Sequence, residues 1–173
     1  RPPRQSARVV EVLGDPFAPR SFSLIAIHAK GIPHRFDDDT LEEAKMVARR
    51  PLGDRKDLRA LPFLTIDPAD AKDHDDAIWL EKTARGWTLA VHIADVSHYI
   101  KPGSPMDQEA VERGNSTYLV DRVLPMLPTE LSNGICSLKP DVDRLTKCAM
   151  MEISEDGELK RTKFFDAVIH SRA

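Results

Sequence analysis

Cysteine is scarce in this chain and long apolar runs are absent. The two cysteines, Cys136 and Cys148, have no C-x-x-C spacing and no histidine at zinc-finger spacing. A disulfide framework and a cysteine-based structural zinc site are therefore not expected. Two buried or half-buried thiols in a reducing compartment, the cytoplasm, are expected instead. No apolar run approaches the roughly 20 residues that a membrane span needs. The N-terminal Arg1-Pro2-Pro3-Arg4 lacks the apolar core of a secretory signal. No repeat of solenoid period, no Gly-rich phosphate loop and no G-x-S-x-G occur. These absences argue against a repeat array, a nucleotide-triphosphate enzyme and a serine hydrolase. Both ends read as cut, so a piece of a longer chain is expected.

What is present is ordinary in amount. The 173 residues are 41% hydrophobic and 31% charged, enough for a buried core under a polar surface. Thirteen prolines and eight glycines suggest many loops without low complexity. The net charge of −3 argues weakly against a nucleic-acid binder. That average conceals a split. Residues 1–66 carry twelve Lys/Arg against nine Asp/Glu, and residues 67–173 carry thirteen against nineteen. An acidic half serves solubility, or it gathers carboxylates to hold a cation.

The pattern of elements is α+β. Residues 7–13 read as a short strand. Residues 21–30 read as a helix between Ser21 as cap and Gly31 as stop. Thr40 and Glu43 form a capping-box pattern for a helix over 40–50. A charged linker covers 51–61. Pro62 to Ile66 is a β-favouring run, followed by strands over 77–81 and 87–95 about an Arg85-Gly86 turn. Ser104, Pro105 and Gly114 mark the cap, first position and stop of another helix. Residues 115–145 read as proline-punctuated loop with one short helix near Thr129. A second hairpin is expected over 146–153 and 158–169, around Asp156-Gly157.

The densest chemistry lies between Asp67 and Asp76. Asp67, Asp70, Asp73, Asp75 and Asp76 fall within ten residues, flanked by apolar strand-like sequence. Carboxylates this close repel, and without a counterion some would stay protonated. A bound Mg²⁺, or Mn²⁺, would relieve that repulsion, since hard cations favour oxygen ligands. Two such ions would activate a water and stabilise a leaving oxygen in phosphodiester cleavage. A calcium loop starting at Asp73 fails, because Ala77 and Ile78 stand where an oxygen ligand and a glycine belong. Spacing alone leaves both a metal site and a solvated acidic turn open.

Leu61-Pro-Phe-Leu-Thr-Ile-Asp67 followed by Asp73-His-Asp-Asp76 resembles the opening of the catalytic (RNB) domain of the ribonuclease II / ribonuclease R exoribonucleases. The resemblance continues through His92-Ile-Ala-Asp-Val-Ser-His-Tyr99, Pro102-Gly-Ser104, Arg113-Gly114, Tyr118-Leu119, Pro125-Met-Leu-Pro128, Leu131-Ser-Asn133 and Cys136-Ser-Leu138. It implies a mixed α/β catalytic domain with antiparallel strands and flanking helices, of which 57–173 is the N-terminal portion. Arg8 to Gly14 is similar to the last strand of the family's cold-shock (OB-type) domain. On that reading 1–14 is a domain tail and 15–56 a helical linker.

The implied activity is processive 3′→5′ hydrolysis of single-stranded RNA to nucleoside 5′-monophosphates with Mg²⁺. The family's four acidic positions fall on Asp67, Asp73, Asp75 and Asp76. Asp67 and Asp76 are implied as direct metal ligands, and Asp73 and Asp75 complete the coordination or hold water. Tyr118 falls on the family's aromatic clamp for the last nucleotide; otherwise it is a core residue near a turn. Asp70 reads as a solvated loop carboxylate and His74 as a packing or solvent-facing imidazole. The family's phosphate-binding arginine, a late acidic residue and an S1-type RNA-binding domain map downstream of residue 173.

Other readings stand beside this one. A family member that only binds RNA would have lost the acidic set, and all four positions are intact. A cation-stabilised acidic domain that mediates protein contacts is a third reading. Asp95, Ser97, His92 and His98 make a Ser/His/Asp set conceivable, though strand and turn residues are the commoner fate. Arg113 and Arg122 are candidates for phosphate contact or for surface ion pairs.

Overall fold

A computed structural model of the chain describes residues 6–172. Its centre is a five-stranded mixed sheet in the order β1-β7-β6-β3-β2. The strands are β1 (Lys56–Asp57), β2 (Asp76–Thr83), β3 (Gly86–Ala94), β6 (Asp143–Ile153) and β7 (Leu159–His170). β1 runs parallel to β7, and the other pairs are antiparallel. A separate two-stranded ribbon pairs β4 (Thr117–Tyr118) with β5 (Val123–Leu124).

Both hairpins follow local turn chemistry. Gly86 has φ 127, and a Cβ there would sit 2.1 Å from the Ile153 carbonyl oxygen. The turn therefore requires glycine both for its dihedral and for its approach to β6. The β6–β7 hairpin turns at Asp156-Gly157, as expected.

Helices α1 (Pro19–Lys30), α2 (Asp38–Val47), α3 (Val96–Tyr99) and α4 (Pro105–Arg113), with a π-helical turn over Leu131–Ile135, complete the fold. The register places Ala77, Ala90, His92, Ala94, Thr146, Cys148 and Ala167 on one face of the sheet. All are buried, in a core shared with Ala44 and Val47 of α2, Tyr99, Met106 and Leu131. The opposite face leaves Leu80, Ile93 and Phe164 exposed. Cys136 and Cys148 are buried and unpaired. Burial pushes their thiols up to about 12 and about 11, which keeps them unreactive.

Several local expectations fail for non-local reasons. The strand over 7–13 does not form: no described strand pairs with it, and Val9, Val10 and Val12 are exposed. A lone strand leaves its backbone groups to water. Residues 1–5, also within the expected domain tail, lie outside the described residues. Ser21 is not the cap of α1. The helix starts two residues earlier with Pro19 behind Ala18, and Ser21 is buried within its first turn. The Thr40–Glu43 capping box is absent. Asp37 precedes the helix, Thr40 is buried inside it, and the Glu43 carboxylate accepts the Met106 backbone N–H at 2.9 Å. That donor is one of the unpaired amides at the start of α4. Ser104 does cap α4, accepting the Asp107 N–H at 3.3 Å. Pro62 to Ile66 yields only two single bridges, Phe63 to Ser171 and Leu64 to Ile78.

Candidate functional site

The acidic loop is pinned at its middle by the segment after the π-helical turn. Ser137 is fully buried; its hydroxyl accepts the His74 N–H at 3.0 Å and donates to the Lys72 carbonyl at 2.9 Å. The Leu138 N–H donates to the His74 carbonyl at 2.8 Å. Where the loop enters β2, the Ala94 N–H donates to the Asp75 carbonyl at 2.9 Å. A loop of like charges is thus held by backbone bonds, so its carboxylates stay together despite their repulsion.

These carboxylates face a cleft of about 810 Å³. Asp67, Asp70, Asp73 and Asp75 line it together with Tyr118, Arg122 and Val123 from the β4–β5 ribbon and with Asn133. Tyr118 is not a core residue: it is 68% exposed, and its hydroxyl donates to Asp73 Oδ2 at 3.3 Å. The charge of Asp73, with partial burial, raises the Tyr118 pKa. Asp76 opens β2 opposite Ile93 and is not part of the cleft lining. It nevertheless acts on the cluster. The Asp75 pKa is raised by burial first and then by the charges of Asp73, Asp76 and Asp67. A group whose ionised form is disfavoured by three neighbouring carboxylates is a ready partner for a cation. The donor set is all oxygen, which fits Mg²⁺ or Mn²⁺ better than a thiophilic metal.

His74 does more than fill a place between carboxylates. It is half-buried, and its Nδ1 lies 2.9 Å from Asp67 Oδ2 and 3.4 Å from Thr65 Oγ1. The ring therefore orients Asp67 across the loop. Neither this contact nor the Ser137 bonds have a local sequence signature. Ser137 stands 63 positions from His74, and its one mark in the sequence is its place within the Cys136-Ser-Leu138 stretch.

The other candidates resolve into structure. Asp95 is buried at the start of α3, where Oδ1 accepts the Ser97 hydroxyl at 2.7 Å and the His98 N–H at 3.2 Å. Its Oδ2 lies 2.6 Å from Arg55 Nη2 and 3.5 Å from Lys147 Nζ. Burial pushes the Asp95 pKa up, but the bonds from Ser97 and Arg55 outweigh it and the net shift is downward. Serine bonded to aspartate, with His98 Nδ1 facing Arg55 at 3.2 Å, is a helix cap and ion pair, not a nucleophilic triad. Arg113 stacks 3.7 Å over Phe36, pairs with Glu109 at 2.7 Å and donates to the Pro33 and Arg35 carbonyls. It clamps the loop before α2 onto α4 and donates to the carbonyl of the cleft-lining Pro125 at 3.5 Å, without itself lining the cleft. Arg122 does line the cleft, but it is paired with Asp121 at 2.8 Å and donates to the Arg20 carbonyl.

The mixed α/β domain thus gathers carboxylates in a cleft beside the edge strand of its sheet. Comparison with known families goes further. The family model described as RNB domain matches residues 55–173, and the chain belongs to that family. It is 46% identical over 171 residues to Ribonuclease R of Vibrio cholerae, covering 96% of this chain and 21% of that protein. With Ribonuclease R of Thermotoga maritima the identity is 49%, covering 96% and 24%. The solved structure of Mycoplasma genitalium RNase R in complex with double-stranded RNA superposes with a TM-score of 0.87 at 33% identity. That match covers 94% of this chain and 30% of the other. The chain thus spans about a fifth to a quarter of the length of these curated relatives. Among the described residues, no helix is long and apolar enough to cross a membrane.

Proposed function

We propose that this chain is the carboxylate-bearing part of a 3′→5′ exoribonuclease that hydrolyses single-stranded RNA to nucleoside 5′-monophosphates. On this reading 57–173 is the N-terminal portion of the catalytic domain, 15–56 a helical linker and 1–14 the tail of a preceding domain. The observation that carries the proposal is the shared cleft of Asp67, Asp73, Asp75 and Tyr118, with Tyr118 bonded to Asp73. Asp67, Asp73, Asp75 and Asp76 would hold Mg²⁺, with Mn²⁺ as a substitute. Bound there, the metal would lower the pKa of an attacking water and stabilise the leaving oxygen. Tyr118, exposed on its ribbon, would stack on the terminal base, a contact that accepts every nucleotide. His74 and Ser137 would hold the acidic loop in the geometry this requires. The buried, unpaired thiols fit a reducing compartment, and the cytoplasm is the proposed location.

The cleft of this chain by itself is a poor phosphate site. Its lining carboxylates outnumber Lys72 and Arg122, and Arg122 is already paired. The 173-residue chain alone is therefore expected to degrade little or no RNA. The test uses the full-length protein on a 5′-labelled single-stranded oligonucleotide in Mg²⁺. Stepwise shortening with release of nucleoside 5′-monophosphates, reduced at least about 100-fold in Asp75→Asn, is the expected result. Digestion that persists in EDTA or is indifferent to Asp75→Asn would overturn the reading.

A further inference from the structure

Away from the acidic cleft, two imidazoles and a carboxylate converge where the irregular N-terminal segment crosses the end of α1. Glu11, His28 and His34 each offer one ligand atom, and these atoms all lie within 4.8 Å of one another. The sequence brings them together through the α1 stop. His28 sits in the last turn of the helix, and Gly31, at φ 62, reverses the chain so that His34 returns beside it. The two rings meet edge to face with centroids 4.7 Å apart. His28 Nε2 lies 3.8 Å from Glu11 Oε2. His34 Nδ1 faces the Ile32 carbonyl at 3.4 Å, an acceptor for an Nδ1–H that would leave Nε2 free to ligate. A backbone carbonyl fixing the tautomer is the usual support behind a metal-binding imidazole.

Charge balance alone does not explain the arrangement. Arg35 already pairs with Glu11 Oε1. His28 approaches the other oxygen and His34 lies beside it, where they add ligand atoms rather than needed charge. We propose that Glu11, His28 and His34 form a site for a divalent transition metal of the zinc class, which fastens the N-terminal segment to the end of α1. Two nitrogens and one oxygen suit Zn²⁺, Co²⁺ or Ni²⁺, and they suit Mg²⁺ poorly. Tetrahedral zinc with bonds of about 2.0–2.1 Å sets its ligand atoms roughly 3.3 Å apart. The ligand atoms must close by up to about 1.5 Å, which rotation of the exposed Glu11 and His28 side chains permits. Water would take the fourth position. The site differs from the acidic cleft in place, donor type and preferred metal.

Calorimetric titration of the chelator-treated 173-residue chain with Zn²⁺ alone tests this. One Zn²⁺ per chain is expected, with affinity reduced at least about tenfold in H28Q/H34Q and unchanged in D67N/D75N. Trypsin cleavage after Arg8 should slow when Zn²⁺ is added to the wild type and not when it is added to H28Q/H34Q. His28 is exposed and His34 half-buried, and circular dichroism checks that the variant keeps the fold. Absence of zinc binding, equal binding by H28Q/H34Q, or loss of binding in D67N/D75N would each overturn the proposal.

Discussion

The Ser137 hydroxyl accepts the His74 backbone N–H at 3.0 Å, so a fully buried serine in the loop before β6 holds the centre of the acidic loop. The same hydroxyl donates to the Lys72 carbonyl. Ser137→Ala removes both bonds and leaves a half-buried amide without its partner, a loss of about 1–3 kcal/mol. Thermal unfolding should show that destabilisation. Mn²⁺ affinity should fall about tenfold or more, because a support behind the carboxylates is lost.

Asp75 predicts a gain. Its pKa is raised, so the folded state resists ionisation of this carboxyl and stability falls as pH rises from the ordinary value of 3.8 through the raised one. In metal-free buffer near neutral pH, Asp75→Asn should raise the unfolding midpoint. Below pH 3.8 the gain should vanish. A midpoint lowered at neutral pH would show that the cluster is not under electrostatic strain.

His92 predicts the opposite pH response. It is fully buried on β3, with Nδ1 2.7 Å from Thr146 Oγ1 and Nε2 without a partner among the described residues. Burial lowers its pKa from 6.5 to about 4. The stability this supplies is present above 6.5 and is lost as pH falls toward 4, at most roughly 3 kcal/mol. Unfolding midpoints measured across that window should fall steeply in the wild type. The slope should be shallower in His92→Gln.

Arg55 and Asp95 form the buried ion pair that ties the start of the family match to the end of β3. Arg55→Met leaves Asp95 with Lys147 as its remaining cation, at 3.5 Å and half-exposed. Removing one partner of a buried pair costs about 3–5 kcal/mol. Denaturant unfolding of the variant checks that range.

These contacts mark where sequence reading stops. The hairpins β2–β3 and β6–β7 and the helix α4 were legible because their determinants are local: apolar alternation, a turn glycine, a serine cap. The acidic loop was legible as a cluster for the same reason. Apart from the start of α1, which Pro19 sets locally, the failures required knowledge of a distant neighbour. A valine-rich run over 7–13 needs a partner strand, and Glu43 serves α4 rather than its own helix. Tyr118 and Ser137 reach the loop from 45 and 63 positions away. The resemblance points to Tyr118 as the aromatic clamp and includes Ser137 within Cys136-Ser-Leu138, but it assigns the serine no role.

Asp67, Asp73, Asp75 and Asp76 are proposed to form one cation site. The most direct measurement is the unfolding midpoint of the 173-residue chain as Mg²⁺ or Mn²⁺ is titrated, compared with Asp67→Asn/Asp76→Asn. A ligand that binds only the native state raises the midpoint by mass action. A concentration-dependent rise in the wild type, absent from the double variant, is expected. No rise at millimolar metal, or an equal rise in both proteins, would contradict the proposal.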